Sequence, residues 1–241
     1  SPERISPGDK KKLPEIKKVV SGSNRKYSNI IYKLYKKIIK AGVYKAPDIK
    51  TAEASKILEN IQRDVNISLM NEVSIIFNKL NINTFDVLKA AKTKWNFLNF
   101  TPGLVGGHCI SVDPYYMKYK AQKIGIKTQV ISSGRSINEQ MAKVIFQRII
   151  SFFKSKKRKI KKVGIMGLSF KENSSDIRNS QIFKIVGLFK NKKFNIQLYD
   201  PKIDKKKLKT EYRKHFVNKF KGKLDCLIVS TPHKEFINLK K

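Results

Sequence analysis

The sequence predicts an α/β protein: a helical middle built on one long helix, followed by a parallel sheet domain. Three observations carry this. Thr51 to about Leu80 runs without Gly or Pro and repeats apolar residues at helical spacing. After the basic stretch Lys154 to Lys162 the texture changes to strand, helix, strand, connection, strand. The stretch itself is almost all lysine and arginine, the composition of a linker.

Taken in order, the first residues are rich in Pro, Gly and Lys and read as loop, with a short apolar piece at Ile16 to Val20. Ser28 to Ile39 has a helical period and ends before Gly42. In the long segment, Ile57, Leu58, Ile61, Val65, Leu69, Val73, Ile76 and Leu80 trace the stripe of a spine or dimer helix. Thr84 to Ala91, Tyr115 to Ile124 and Asn138 to Phe153 are further helices, and Gln129-Val130-Ile131 is a brief apolar run. Val163 to Phe170, Phe194 to Tyr199 and Leu224 to Ser230 are strands, with Ser180 to Phe189 helical between the first two.

Composition bounds the rest. No apolar run is long enough to cross a bilayer. Two cysteines, Cys109 and Cys226, make a disulfide framework unsuited and point to a reducing cytoplasm. Cys226 sits among apolar residues and reads as core. The 53 Lys and Arg against 18 Asp and Glu, a net charge of +35, admit an anionic partner such as nucleic acid. The lysines are scattered and no nucleic-acid motif accompanies them, which fits compositional drift and predicts no specific nucleic-acid partner and no membrane. A basic, non-enzymatic dimerisation or anion-binding module stays open as the alternative.

The chemistry gathers at TPGLVGGHCISVDPYYMKY, residues 101–119. Two adjacent glycines let a backbone approach a ligand closely. A thiol, Cys109, follows them, with a carboxylate at Asp113. That is the pattern of a nucleophile set against a polar substrate. Lys56 and Asn60, one helical turn apart, project from one face of the long helix. The loop FKENSSDIRNS leaves the carboxyl end of a strand, where α/β folds bind ligands. It offers Lys171 and Arg178 beside a helix N-terminus, a setting suited to phosphate. No group of residues has metal-ligand spacing. Gly164 and Gly167 do not complete a dinucleotide fingerprint.

Four segments, in this order, resemble the UDP-glucose/GDP-mannose dehydrogenase family: SPERI, TAEASKILENIQRDVNISLMNE, TKWNFLNFTPGLVGGHCISVDPYYM and FKENSSDIRNS. The third is nearest the bacterial UDP-N-acetylhexosamine 6-dehydrogenases of capsule and O-antigen synthesis. The resemblance implies oxidation of a sugar C6 alcohol to a carboxylate with NAD, in two hydride transfers. It implies Cys109 as the nucleophile, Lys56 and Asn60 as oxyanion stabilisers, Asp113 at the hydrolytic water and Glu3 in acid–base work. Phe100, Gly103, Gly106, Gly107 and Lys171 would line the UDP-sugar, and Arg178 would reach the dinucleotide. The implied partners are the substrate and a second copy joined through the central helix.

The resemblance also implies domains. Residues 1–45 would be a remnant of the NAD-binding domain, 46–155 the central helical domain, and 156–241 an incomplete Rossmann-like UDP-binding domain. Both ends then read as truncated, and the chain alone as inactive. Where some relatives carry a second glutamate near Glu3, this sequence has Pro7.

Overall fold

The computed structural model describes residues 1–2 and 12–237; Glu3 and Pro7 lie outside them. The chain divides into two compact units, residues 1–62 and 63–241, and the division falls inside the longest helix.

The first unit is a small βαβ arrangement. Strand β1 (Lys18–Val20) leads through helix α1 (Arg25–Ile38) to strand β2 (Val43–Lys45), and the strands pair in parallel, Lys18 opposite Val43. The Asn24 side chain starts α1 by accepting from the Tyr27 N–H. Helix α2 (Ile49–Lys79) begins here and continues into the second unit.

The second unit holds the rest of α2, then α3 (Thr84–Ala91), α4 (Asp113–Lys123) and α5 (Val130–Ser155). Next come β3 (Lys162–Met166), α6 (Ile182–Asn191), β4 (Asn195–Tyr199), α7 (Thr210–Arg213), β5 (Cys226–Val229) and the four-residue α8 (Lys234–Ile237). The three strands form a parallel sheet in the order β4-β3-β5. The parallel α/β expectation is met, with strands shorter than their apolar runs.

Two differences from the sequence reading are informative. Helix α5 starts at Val130, eight residues before the expected Asn138; Ser132, Ser133, Gly134 and Arg135 follow in its first turns and locally argue for a loop. That glycine lets α5 lie against α2: a Cβ there would sit 2.9 Å from the Ser68 hydroxyl. The second concerns α2, whose buried positions from residue 64 onward are mostly polar: Asp64, Ser68, Asn71 and Ser74, with Met70. Leu69, Ile76 and Leu80, part of the stripe expected of a spine or dimer helix, are about half exposed or more.

One core joins α5 to the sheet. Phe146 of α5, Phe189 and Ile185 of α6, Val163 and Ile165 of β3, and Leu198 of β4 belong to a single buried cluster. The loops that carry the candidate site therefore spring from elements of one packed body. Phe189 is fully buried and meets Phe146 and Phe194 edge-on at 4.8 and 5.2 Å. Phe189→Ala should destabilise this unit by about 3–5 kcal/mol. A urea titration checks it, with Trp95→Ala as reference because Trp95 is 96% exposed. Equal midpoints for the two variants would contradict the assigned core.

Candidate active site

The thiol sits on a turn that runs straight into α4. The Cys109 carbonyl accepts from the N–H groups of Val112 and Asp113 at 3.0 and 2.8 Å. The Ser111 hydroxyl donates back to the Gly107 carbonyl at 2.5 Å. Asp113 and Pro114 are the first two residues of α4. A carboxylate favours the positive end of the helix, and proline tolerates the first turn because its missing N–H has no partner there anyway. Cys109 is half-buried.

This turn is docked on the loop spanning 170–179. Gly106 lies so close to it that a Cβ would fall 2.7 Å from the Asn179 carbonyl oxygen. Gly107 has φ +88°, and a Cβ there would meet the Phe170 ring at 2.8 Å. Only glycine satisfies both the contact and the left-handed backbone. The Asn179 side chain donates to the Gly107 carbonyl at 3.2 Å. His108 Nε2 stands 2.9 Å from Asp176 Oδ2, and its ring meets Phe170 edge-on at 5.8 Å. Asp176 also accepts from Arg178, at 3.0 Å from Nε and 2.8 Å from Nη2. That guanidinium, with help from His108, holds the Asp176 carboxyl well below its ordinary 3.8, at about 2.

A second buried pair fixes the start of the same loop. Asp200, at the end of β4, accepts from the Leu168 N–H at 2.7 Å and the Ser169 N–H at 3.3 Å. His233 is fully buried; its Nδ1 accepts from the Asn173 N–H at 2.9 Å, which puts the ring proton on Nε2, 3.1 Å from Asp200 Oδ2. Phe170 and Lys171 lie between these pinned points. In dinucleotide folds an acid near this strand end holds a ribose. Here Asp200 is 2% exposed and spent on the protein's own groups.

A cavity of about 630 Å³ opens between the two loops at the carboxyl ends of β3 and β5. Thr101, Gly103, Gly106, Phe170, Gln181 and Thr231 are among the residues lining it. The Gln181 Oε1 is buried and without a hydrogen-bond partner among the described residues.

Of the residues expected from sequence, the second unit brings Gly106, Gly107 and the turn bearing Cys109 together with the loop carrying Lys171 and Arg178. Gly103 lines the cavity. Phe100 and Asp113 are half-buried on either side of the turn. Arg178 is 64% exposed and engaged with Asp176. Lys56 and Asn60 lie on α2 within the first unit: the Lys56 ammonium pairs with Glu59 at 3.1 Å, and Asn60 is 1% exposed. Sequence reasoning missed Asn71, whose side chain bonds both backbone groups of Gly103. The signal was available as polar residues at 64, 68, 71 and 74, a helical stripe inside a helix read for its apolar positions. His108, Asp176 and Asn179 were likewise passed over as ordinary loop residues.

Because the folded pKa of Asp176 is depressed, its pairing contributes stability that is present above about pH 4 and lost as pH falls toward 2. Asp176→Asn should therefore lose less stability than the parent protein between those values. Denaturant titrations at each pH read this, and equal losses would count against the pairing.

Comparison with known proteins places these features in context. The pattern described as "UDP-glucose/GDP-mannose dehydrogenase family, central domain" matches residues 50–140, and that family's "UDP binding domain" matches residues 164–241. The chain is 46% identical to the protein CapL of Staphylococcus aureus, over 100% of this chain and 58% of that one. It is also 46% identical to a UDP-N-acetyl-D-glucosamine 6-dehydrogenase of Salmonella typhi, over 98% of this chain and 56% of that one. The chain thus spans a little over half the length of these curated relatives. Among solved structures, a UDP-D-ManNAc dehydrogenase from Pyrococcus horikoshii superposes with a TM-score of 0.77 at 28% identity, covering 92% of this chain and 51% of that one.

Proposed function

The chain belongs to the UDP-glucose/GDP-mannose dehydrogenase family, and from that premise we propose that it serves the oxidation of a UDP-N-acetylhexosamine at C6, alcohol to carboxylate. The observation that carries this reading is the assembled surface of the second unit. The glycine turn bearing a thiol is docked, by contacts only glycine permits, on the loop that the family resemblance assigns to the sugar nucleotide. The adjoining cavity is of ligand size, and Gln181 is among the residues that line it.

In this reading, NAD would supply the hydride acceptor for both oxidations. Asp200, the strand-end acid of the C-terminal sheet, is committed to Leu168, Ser169 and His233 and is not free to hold a ribose, so no step below depends on where NAD sits. The chain's own part is covalent. Loss of a first hydride from C6 and of the hydroxyl proton turns the alcohol into the aldehyde; the Cys109 sulfur then adds to C6 as the carbonyl oxygen takes up a proton, giving a hemithioacetal. Removal of a hydride from C6 and of the hydroxyl proton leaves a thioester. Water then attacks, the C6–S bond breaks, and the free thiol and the acid are released. A thiol suits both halves, being a strong nucleophile and a good leaving group. Lys56 and Asn60 are proposed to stabilise the oxyanion, Asp113 to orient the water, and Glu3 to act in acid–base work. Phe100, Gly103, Gly106, Gly107 and Lys171 contact the nucleotide sugar, and Arg178 the dinucleotide.

The half-exposed Leu69, Ile76 and Leu80 support a homodimer through α2, and cysteine usage supports a cytoplasmic setting. Two measurements test the reading. Calorimetric titration of the chain with UDP should show saturable binding, weakened at least about tenfold by Lys171→Ala. In the protein as the cell makes it, Cys109→Ser should cut uronate formation at least about a thousandfold while leaving UDP affinity unchanged. Normal acid production by that variant would remove Cys109 from the chemistry.

A further inference from the structure

Gly103 is held as if by a neighbouring strand. Its N–H donates to Asn71 Oδ1 at 2.8 Å, and its carbonyl accepts from Asn71 Nδ2 at 3.0 Å. The same Nδ2 gives its other proton to Asn138 Oδ1 at 2.8 Å. Asn138 Nδ2 donates in turn to Asp64, at 2.8 Å from Oδ1 and 2.9 Å from the backbone carbonyl. Arg135 Nη1 completes the chain at 2.5 Å from the same Oδ1. Asp64, Asn71, Asn138 and Arg135 are 0, 0, 1 and 5% exposed.

The direction of every bond in this relay follows from its inner end. Asp64 Oδ1 receives two donors, so it is an acceptor whatever the protonation of Oδ2. Asn138 must therefore turn its NH₂ toward Asp64 and its oxygen toward Asn71. Asn71 must answer with its NH₂, which leaves Oδ1 to receive the Gly103 N–H. An amide flipped at either asparagine would set oxygen against oxygen inside the protein, where no water relieves it. The buried carboxylate thus dictates which way Asn71 presents its amide to the cysteine loop. Four residues further on, Asn179 holds the loop again at the Gly107 carbonyl.

We propose that Asn71 is a positioning residue for Cys109, clamping the 101–107 backbone in the register that delivers the thiol, with its amide polarity imposed by Asp64 through Asn138. The clamp rests on the proposed function only in taking Cys109 as the nucleophile.

Hydrogen exchange and thiol alkylation on the chain test it without a turnover assay. In Asn71→Ser and in Asp64→Ala, which removes the acceptor Oδ1, the Gly103 amide should exchange at least about tenfold faster. The rate of Cys109 alkylation by iodoacetamide should change by about threefold or more, with Cys226 as the unchanged internal reference. Helical circular dichroism checks that each variant folds. Should the buried substitutions unfold the chain, Gly103→Pro deletes the donor from the loop side, and Cys109 alkylation should change as before. Unchanged Gly103 exchange in a folded variant overturns the proposal. So does faster exchange with unaltered Cys109 reactivity, or unaltered reactivity in Gly103→Pro. A failure of the proposed function looks different: an intact clamp in a protein whose Cys109→Ser form still makes acid.

Discussion

Asp64 is taken wholly out of water, and the donors gathered on its Oδ1 tie α5 to α2. Burial pushes its carboxyl upward, and the Arg135 guanidinium and Asn138 amide oppose the push. Those partners come from α5, seventy-one and seventy-four residues away in sequence. The polar contact therefore fixes the register of α5 on α2, and Gly134 removes the side chain that would keep the helices apart. Once that register is set, Asn71 is oriented, and through it the loop bearing the thiol. A purely apolar seam would tolerate sliding; directional bonds do not.

The same economy runs through a chain that has 18 acidic residues against 53 basic ones. Several of its few acids stand where backbone must be held. Asp176 gathers His108 and Arg178 at the junction of the two loops. Asp200 anchors the N–H groups of Leu168 and Ser169 beneath His233. Asp225 accepts from the N–H groups of Lys161 and Lys162 at the entry to β3. The surplus lysines belong largely to the surface and set its field, while this small set of carboxylates sets loop geometry. A high net charge is in that sense compatible with a sugar-nucleotide site and needs no nucleic-acid partner to account for it.

Much of the architecture was legible before any coordinates. Helix α3 matches its expected bounds, α2 nearly so, and the three strands of the sheet fall within a residue of their apolar runs, because short-range periodicity reflects which face an element buries. Helix α2 shows the limit of that signal. Spacing reveals that a stripe exists, not which stripe faces inward, and here a polar stripe faces α5 while apolar residues are left outside. The early start of α5 was hidden because its first turns are serine, glycine and arginine, whose local preferences argue for a loop. Tertiary contacts with Asp64 and Ser68 override those preferences.

The candidate site divides along the same line. Residue chemistry alone marked Cys109, its two glycines and the polar loop after β3, since paired glycines let a backbone come close to a ligand and a thiol follows them. Nothing local in Asn71, Asn138 or His233 distinguishes them from solvated residues of the same kind. Their roles exist only after distant segments meet: an amide becomes a clamp when a carboxylate behind it forbids the opposite orientation, and an imidazole becomes a pin when both of its nitrogens are claimed. The order of residues set which elements form and where the Cys109 sulfur stands. The packing of α5 against α2, and of one loop on another, decided how that sulfur is held, because hydrogen bonds between groups some seventy residues apart have no signature in either segment alone.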